Sequence, residues 1–154
     1  MELVKEHWIS LWNRVALIGI IHCNRESDKR RLAMLNRMVL LSIGTFVFYM
    51  FVDTLLGFRE LVFIPFLGMV VSFIIAGLVS IGHANLSKYL FLINCMFVLT
   101  VNSFYTEGQA FISILFVPLA AVPGVIFRTK LIARISLVII LAVMIIVIGK
   151  FGLI

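Results

Sequence analysis

The sequence predicts an all-α protein, a polytopic helical bundle of the membrane with about five transmembrane helices after an amphipathic interfacial helix. Between Met38 and Ile154 lie five apolar runs, each close to the about 20 residues that an α-helix needs to cross a bilayer. The chain is 63% hydrophobic, and its mean hydropathy is +1.19. The runs are Met38–Leu56, Leu61–Ile81, Tyr89–Tyr105, Ala110–Phe127 and Ile135–Ile154.

The net charge of +6 follows a membrane pattern and not that of a nucleic-acid-binding protein. Of the 13 Lys and Arg residues, 11 lie before the first run, after the second or after the fourth. Because cytoplasmic loops are enriched in Lys and Arg, we expect a cytoplasmic N-terminus. The protein is thus predicted to be a multi-pass protein of the cell's inner (plasma) membrane. Its cations are expected to contact the lipid bilayer, and no nucleic acid.

Residues 1–33 are predicted to form a basic cytoplasmic segment, and residues 34–154 the transmembrane bundle. Apolar side chains recur at helical spacing in the first segment, and two tryptophans beside basic residues favour a helix lying in the membrane interface. A short span or re-entrant element formed by Val15–Ile21 is the alternative. The charged run at residues 24–31 is predicted to be a solvated turn. The helical stripe consists of Trp8, Leu11, Trp12, Val15 and Ile18.

The first two apolar runs are predicted to form an antiparallel hairpin, because only a short polar turn, Gly57–Glu60, separates them. Pro65 falls in the first turns of the second run, where a missing N–H costs least. Small residues recur every four positions along this run, and such a stripe lets another helix approach closely. The stripe consists of Gly68, Ser72, Ala76 and Ser80.

Polar side chains inside the apolar runs cluster near the predicted outer face. A carboxylate one turn inside the membrane, as at Asp53, either faces the bundle interior or pairs with a cation. Two interpretations follow: an ion pair with Arg59 across the hairpin, or an outward-opening ligand pocket. Asn94 and Asn102 share a helix face and either bind a ligand or form hydrogen bonds between helices. The pocket would be lined by Tyr49, Asp53, Asn102, Tyr105 and Glu107.

No catalytic role, cofactor or metal is expected, because the sequence contains no paired metal ligands, nucleophile elbow or phosphate-binding loop. Cys23 and Cys95 lie in different settings and are predicted to be free thiols. Pro118 and Pro123 both fall in the fourth run. Since proline removes a backbone donor, we expect a kinked helix that moves and relays a signal. The fifth run is aliphatic and is expected to face lipid.

Between His83 and Phe127 the order of features is a Gly-His turn, a span that ends near an acidic-Gly loop, and a Phe-rich span with two prolines. Together with Asn36-Arg37 before an aliphatic run, this order resembles the N-terminal multi-span sensory domain of bacterial sensor histidine kinases and membrane-bound nucleotide cyclases. The resemblance implies about six spans followed by a cytoplasmic output domain. With five runs and no output domain after Ile154, we expect such a domain cut before its last span, or a free-standing relative. The matching positions are Glu107, Gly108, Phe116, Pro118 and Pro123.

The leading functional hypothesis is a sensory or signal-relay domain without catalytic activity, which passes a signal by helix rearrangement. It is expected to form a homodimer and to act on a cytoplasmic output domain or a partner kinase or cyclase of a two-component system. The alternative is a small oligomeric transporter or channel component, although only one half of the chain shows an interrupted helix. A membrane enzyme acting on lipids or isoprenoids would need converging acidic, basic or His side chains, and the sequence shows none.

Overall fold

The structure, a computed structural model, describes residues 10, 12–23, 25–55, 57, 59–105 and 112–151. Within these residues the fold is all-helical, which confirms the predicted class. The helices are α1 (Glu26–Leu55), α2 (Phe63–Ser80), α3 (Ala84–Tyr105), α4 (Ile112–Ile126) and α5 (Lys130–Phe151). A helical stretch at residues 12–16 and a 3-10 turn at Ile20–His22 precede α1.

Four of the described helices, α1, α2, α3 and α5, are long and apolar enough to cross a membrane. They correspond to four of the five predicted spans. α4 contains 15 residues, and its length of about 22 Å is less than the about 30 Å of a bilayer's hydrocarbon core. The predicted span Ala110–Phe127 starts outside the described residues, so the fifth crossing stays a prediction.

The first helix begins at Glu26, so the prediction of a solvated turn over residues 24–31 is wrong from this residue onwards. Glu26 and Asp28 lie in the first turn of α1, where their negative charges face the positive end of the helix dipole. The Nζ of Lys29 donates to Glu26 Oε1 over 2.8 Å. The charged run is therefore the polar start of a 30-residue helix, and the predicted boundary at residue 33 falls inside it.

The centre of the bundle is formed by α3. In the described part of the chain α3 packs against the other four helices, α1 packs against α2, α3 and α4, and α2 and α5 lie on opposite sides. The main core takes a buried side chain from each helix. These include Leu35, Ile75, Phe91, Ile126 and Ile140.

The predicted hairpin of the first two spans is confirmed. Gly57 in its turn has φ 80°, a left-handed conformation that glycine adopts without steric cost. At Gly68, a Cβ atom would lie only 2.8 Å from Val98 Cγ2 and 3.1 Å from the Phe46 ring. The small-residue stripe thus brings α1 and α3 against α2 within one chain.

The segment before α1 packs against α1 and against the end of α2. Asn36 Nδ2 donates to the carbonyl oxygens of Ala16 at 3.4 Å and Ile18 at 2.9 Å. His22 Nε2 lies 3.3 Å from the carbonyl oxygen of Ser80. The predicted N-terminal helix is therefore helical over residues 12–16 and docked on the bundle. Whether it lies in the interface or re-enters the membrane stays a prediction.

Candidate functional site

A groove between α1, α3 and α4 contains two of the five predicted pocket residues. Tyr49 of α1 and Asn102 of α3 line it, and Leu119 and Val122 of α4 form the opposite wall. The volume of this α1–α3–α4 groove is about 250 Å³. Most of its remaining wall is aliphatic or aromatic, so it offers mainly apolar contact.

Of the other three predicted pocket residues, the structure describes the side chain of Asp53 alone. Asp53 lies one turn beyond Tyr49 on α1 and is not among the residues that line the groove. The alternative prediction for Asp53, an ion pair with Arg59, is wrong: the described residues contain no such pair. Tyr105 is the last residue of α3, and its side chain, like all of Glu107, lies outside the described part.

Some polar groups of the groove have hydrogen-bond partners within the described part of the protein, and one does not. Ser42 Oγ donates to the Val39 carbonyl at 2.8 Å, and Thr45 Oγ1 to the Leu41 carbonyl at 2.9 Å. The Tyr49 hydroxyl, in contrast, has no hydrogen-bond partner among the described residues. A small, mainly apolar molecule with one hydrogen-bonding group would match this lining, since ligand pockets combine apolar walls with a few polar groups.

Asn94 connects two helices, which confirms the interhelical alternative for this residue. Its Nδ2 donates to the Gly68 carbonyl at 3.0 Å and to Ser72 Oγ at 3.3 Å. Both acceptors belong to buried residues of α2. Hydrogen bonds of this kind stabilise the packing of membrane helices, so the Asn94 amide serves the contact between α2 and α3.

Arg31 joins α1 to the end of α4, and no sequence feature singled it out. Its Nη1 donates to the carbonyl oxygen of Phe127 and, at 3.1 Å, to that of Val125. These carbonyls belong to the C-terminal end of α4, where backbone acceptors lack helical partners and positive charge is favoured. Within a run of charged residues Arg31 gave no signal of this role, because its acceptors are far away in the sequence.

α4 therefore lines the groove and also binds Arg31. Leu119 and Val122 face the groove, while Val125 accepts the Arg31 hydrogen bond three residues later. Pro123 is buried between them, and because proline has no N–H the Leu119 carbonyl loses its helical donor. Pro118 lies in the same helix, with a side chain outside the described part, and the predicted kink stays a prediction.

Cysteine and metal chemistry offer no further site in the described part. Cys23 and Cys95 are free thiols, as predicted. No group of three or more His, Cys, Asp or Glu side chains in the described residues could hold a metal ion. The described structure is that of an all-helical bundle with four helices long and apolar enough to cross a membrane, and with a small, mainly apolar groove between its helices. Protein-family models, curated proteins and solved structures include no match to the chain.

Proposed function

We propose that the chain is a membrane-embedded sensory or signal-relay domain without catalytic activity of its own. The observation that carries this proposal is the pair of contacts made by α4: Val122 lines the α1–α3–α4 groove, and the carbonyls at Val125 and Phe127 accept hydrogen bonds from Arg31. A molecule that enters the groove displaces α4. The displacement reaches the charged start of α1 through Arg31, as a helix shift between two packed arrangements.

The proposal also sets an orientation and a partner. The start of α1 would lie on the cytoplasmic side of the inner membrane, where an output domain, a partner kinase or a cyclase receives the signal from a homodimer. What supports this orientation is charge, because cytoplasmic segments are enriched in Lys and Arg. Arg25, Lys88 and Arg128 come from three separate basic parts of the chain and line one pocket at the same end of the bundle.

The relay is tested by filling the groove from within. Val122→Phe places a ring in the groove as a stand-in for a bound molecule, and Ala121→Phe places the same ring on the exposed side of α4. Both full-length variants are reconstituted in lipid nanodiscs and compared with the wild type by hydrogen exchange. We expect Val122→Phe to accelerate amide exchange both after Pro123 and at the start of α1, and Ala121→Phe to leave both segments unchanged. Wild-type exchange in both segments of the Val122→Phe variant would refute the relay.

A further inference from the structure

A polar pocket lies at the end of the bundle where α3 and α5 begin. Its volume is about 630 Å³, and its walls come from the segment before α1, from α1 itself and from the starts of α3 and α5. Its charged lining among the described residues consists of Arg25, Lys88, Arg128 and Asp28, with His22 beside them.

Positive charge in this pocket exceeds the negative charge that faces it. Arg128 Nη1 lies 3.7 Å from Asp28 Oδ2, so this carboxylate offsets one cation. Lys88 is only 7% exposed, and its Nζ donates to Asn85 Oδ1 at 3.4 Å. An ammonium group has three donors, and a buried charge is costly unless it is paired. Three cations of the described lining therefore face the single carboxylate of Asp28, and a bound anion would balance this excess of positive charge.

The N-termini of two helices add to the positive electrostatic potential in the pocket. α3 begins at Ala84 and α5 at Lys130, and the residues at both starts, including Asn85 and Thr129, line the pocket. The first N–H groups of a helix have no helical acceptors, and the helix dipole is positive there. Phosphate groups bind readily at such helix ends.

An apolar groove continues from the pocket between α3 and α5. Tyr89 and Ile132 line both the pocket and this α3–α5 groove. The groove extends to Met96 on α3 and Ile140 on α5 and has a volume of about 390 Å³. Its length is about 10–12 Å at the helical rise per residue. Apart from Ser136 and Tyr89, the residues that line the groove are apolar.

We propose that the pocket binds the phosphate headgroup of an anionic phospholipid and that the α3–α5 groove holds one of its acyl chains. Basic pockets between transmembrane helices recognise anionic lipid headgroups. The apolar continuation favours a lipid over a soluble phosphate, because a soluble anion would leave the groove unused. This site is separate from the α1–α3–α4 groove and does not depend on the proposed relay.

The test measures lipid binding to the purified full chain in a mild detergent by native mass spectrometry. Phosphatidylglycerol is titrated against phosphatidylcholine with the same acyl chains, and we expect at least about fivefold tighter binding of the anionic lipid. Arg25→Gln should weaken phosphatidylglycerol binding about fivefold, and Arg25→Gln with Lys88→Gln about 25-fold. Lys130→Gln is the matched control, because Lys130 is an exposed neighbouring cation that does not line the pocket.

The acyl chain and the headgroup are tested separately. Ser136→Phe fills the α3–α5 groove without removing a cation, and we expect at least about tenfold weaker binding of phosphatidylglycerol, since each buried CH₂ contributes. If Ser136→Phe has no effect and inorganic phosphate displaces the lipid, the site binds a soluble anion and the lipid assignment is wrong. Unchanged binding by Arg25→Gln, whose side chain is exposed, would overturn the site. An equal loss in Lys130→Gln would overturn it as well, since surface charge alone would then explain the binding.

Discussion

Gly68 allows three helices to meet, and its substitution provides a sharp test of the packing. The Cβ atom of Gly68→Ala would lie 2.8 Å from Val98 Cγ2 and 3.1 Å from two ring atoms of Phe46. Ordinary carbon contacts are about 3.5–4.0 Å, so the overlap with Val98 is about 0.7 Å. Overpacking of this size costs about 1–3 kcal/mol, and the better helix propensity of alanine returns up to about 1 kcal/mol. Subtracting about 1 kcal/mol of helix propensity, we expect Gly68→Ala to lower the free energy of unfolding by about 0–2 kcal/mol.

The same helix contains the matched control. A Cβ atom at Gly77 would meet nothing within 4 Å, so Gly77→Ala should leave stability unchanged or raise it by up to about 1 kcal/mol. Reversible unfolding in mixed micelles, followed by helix circular dichroism, compares the two variants. Val98→Ala in the Gly68→Ala background should recover part of the loss, because it removes the nearest clashing atom. If Gly68→Ala is as stable as Gly77→Ala, the close approach of α1, α2 and α3 at this position is wrong.

Three further predictions concern the charged end, the orientation and the assembly. Arg31→Ala should lower the free energy of unfolding by about 1–2 kcal/mol through lost charge-assisted hydrogen bonds, whereas Arg30→Ala, at an exposed neighbour, should change it by less than about 0.5 kcal/mol. The orientation is tested in a chain without its native cysteines, with a membrane-impermeant maleimide added to spheroplasts. This reagent should label Glu60→Cys directly and Thr129→Cys only after permeabilisation. The reverse pattern would contradict the proposed orientation. Native mass spectrometry from mild detergent should give twice the 17.4 kDa mass of the chain, and a monomer at all protein concentrations would count against the homodimer.

Helix positions could be predicted from the sequence because they depend on local properties. Hydropathy and length are sufficient to locate α1, α2, α3 and α5. The turn at Gly57 and the position of Pro65 in the first turn of α2 also follow from the conformational limits of these residue types. The start of α1 was missed because a dense run of charges suits a solvated turn and a helix terminus equally well.

The candidate groove was predicted only in part. The sequence indicates how deep in the membrane a residue lies more readily than the direction in which its side chain points around the helix axis. Tyr49 and Asn102 lie at similar depths on adjacent helices and line the same groove. Asp53 follows Tyr49 by four residues, a rotation of about 40° around the helix axis, and does not line the groove. The identity of the helix that packs against a given face of α1 depends on contacts between distant parts of the chain.

Two charged residues show the same limit in different degrees. Arg31 binds carbonyls more than 90 residues away in sequence, and no local pattern indicates this contact. Lys88, however, precedes the buried Phe91 and Leu92 by three and four residues, so it shares their face of α3. The sequence does not single out this face, because all residues from Leu90 to Ile93 are apolar, so the burial of Lys88 also depends on how α3 packs.

The most direct test of the relay is the distance, in a lipid bilayer, between the start of α1 and the turn that follows α4. Nitroxide labels at Ser27→Cys and Thr129→Cys, both exposed positions, report this distance by pulsed electron paramagnetic resonance in a chain without its native cysteines. We predict that filling the α1–α3–α4 groove with Val122→Phe shifts the distance distribution by about 1–2 Å or more, while Ala121→Phe leaves it unchanged. Superimposable distributions for the labelled parent and both variants would contradict the coupling of the groove to Arg31 through α4.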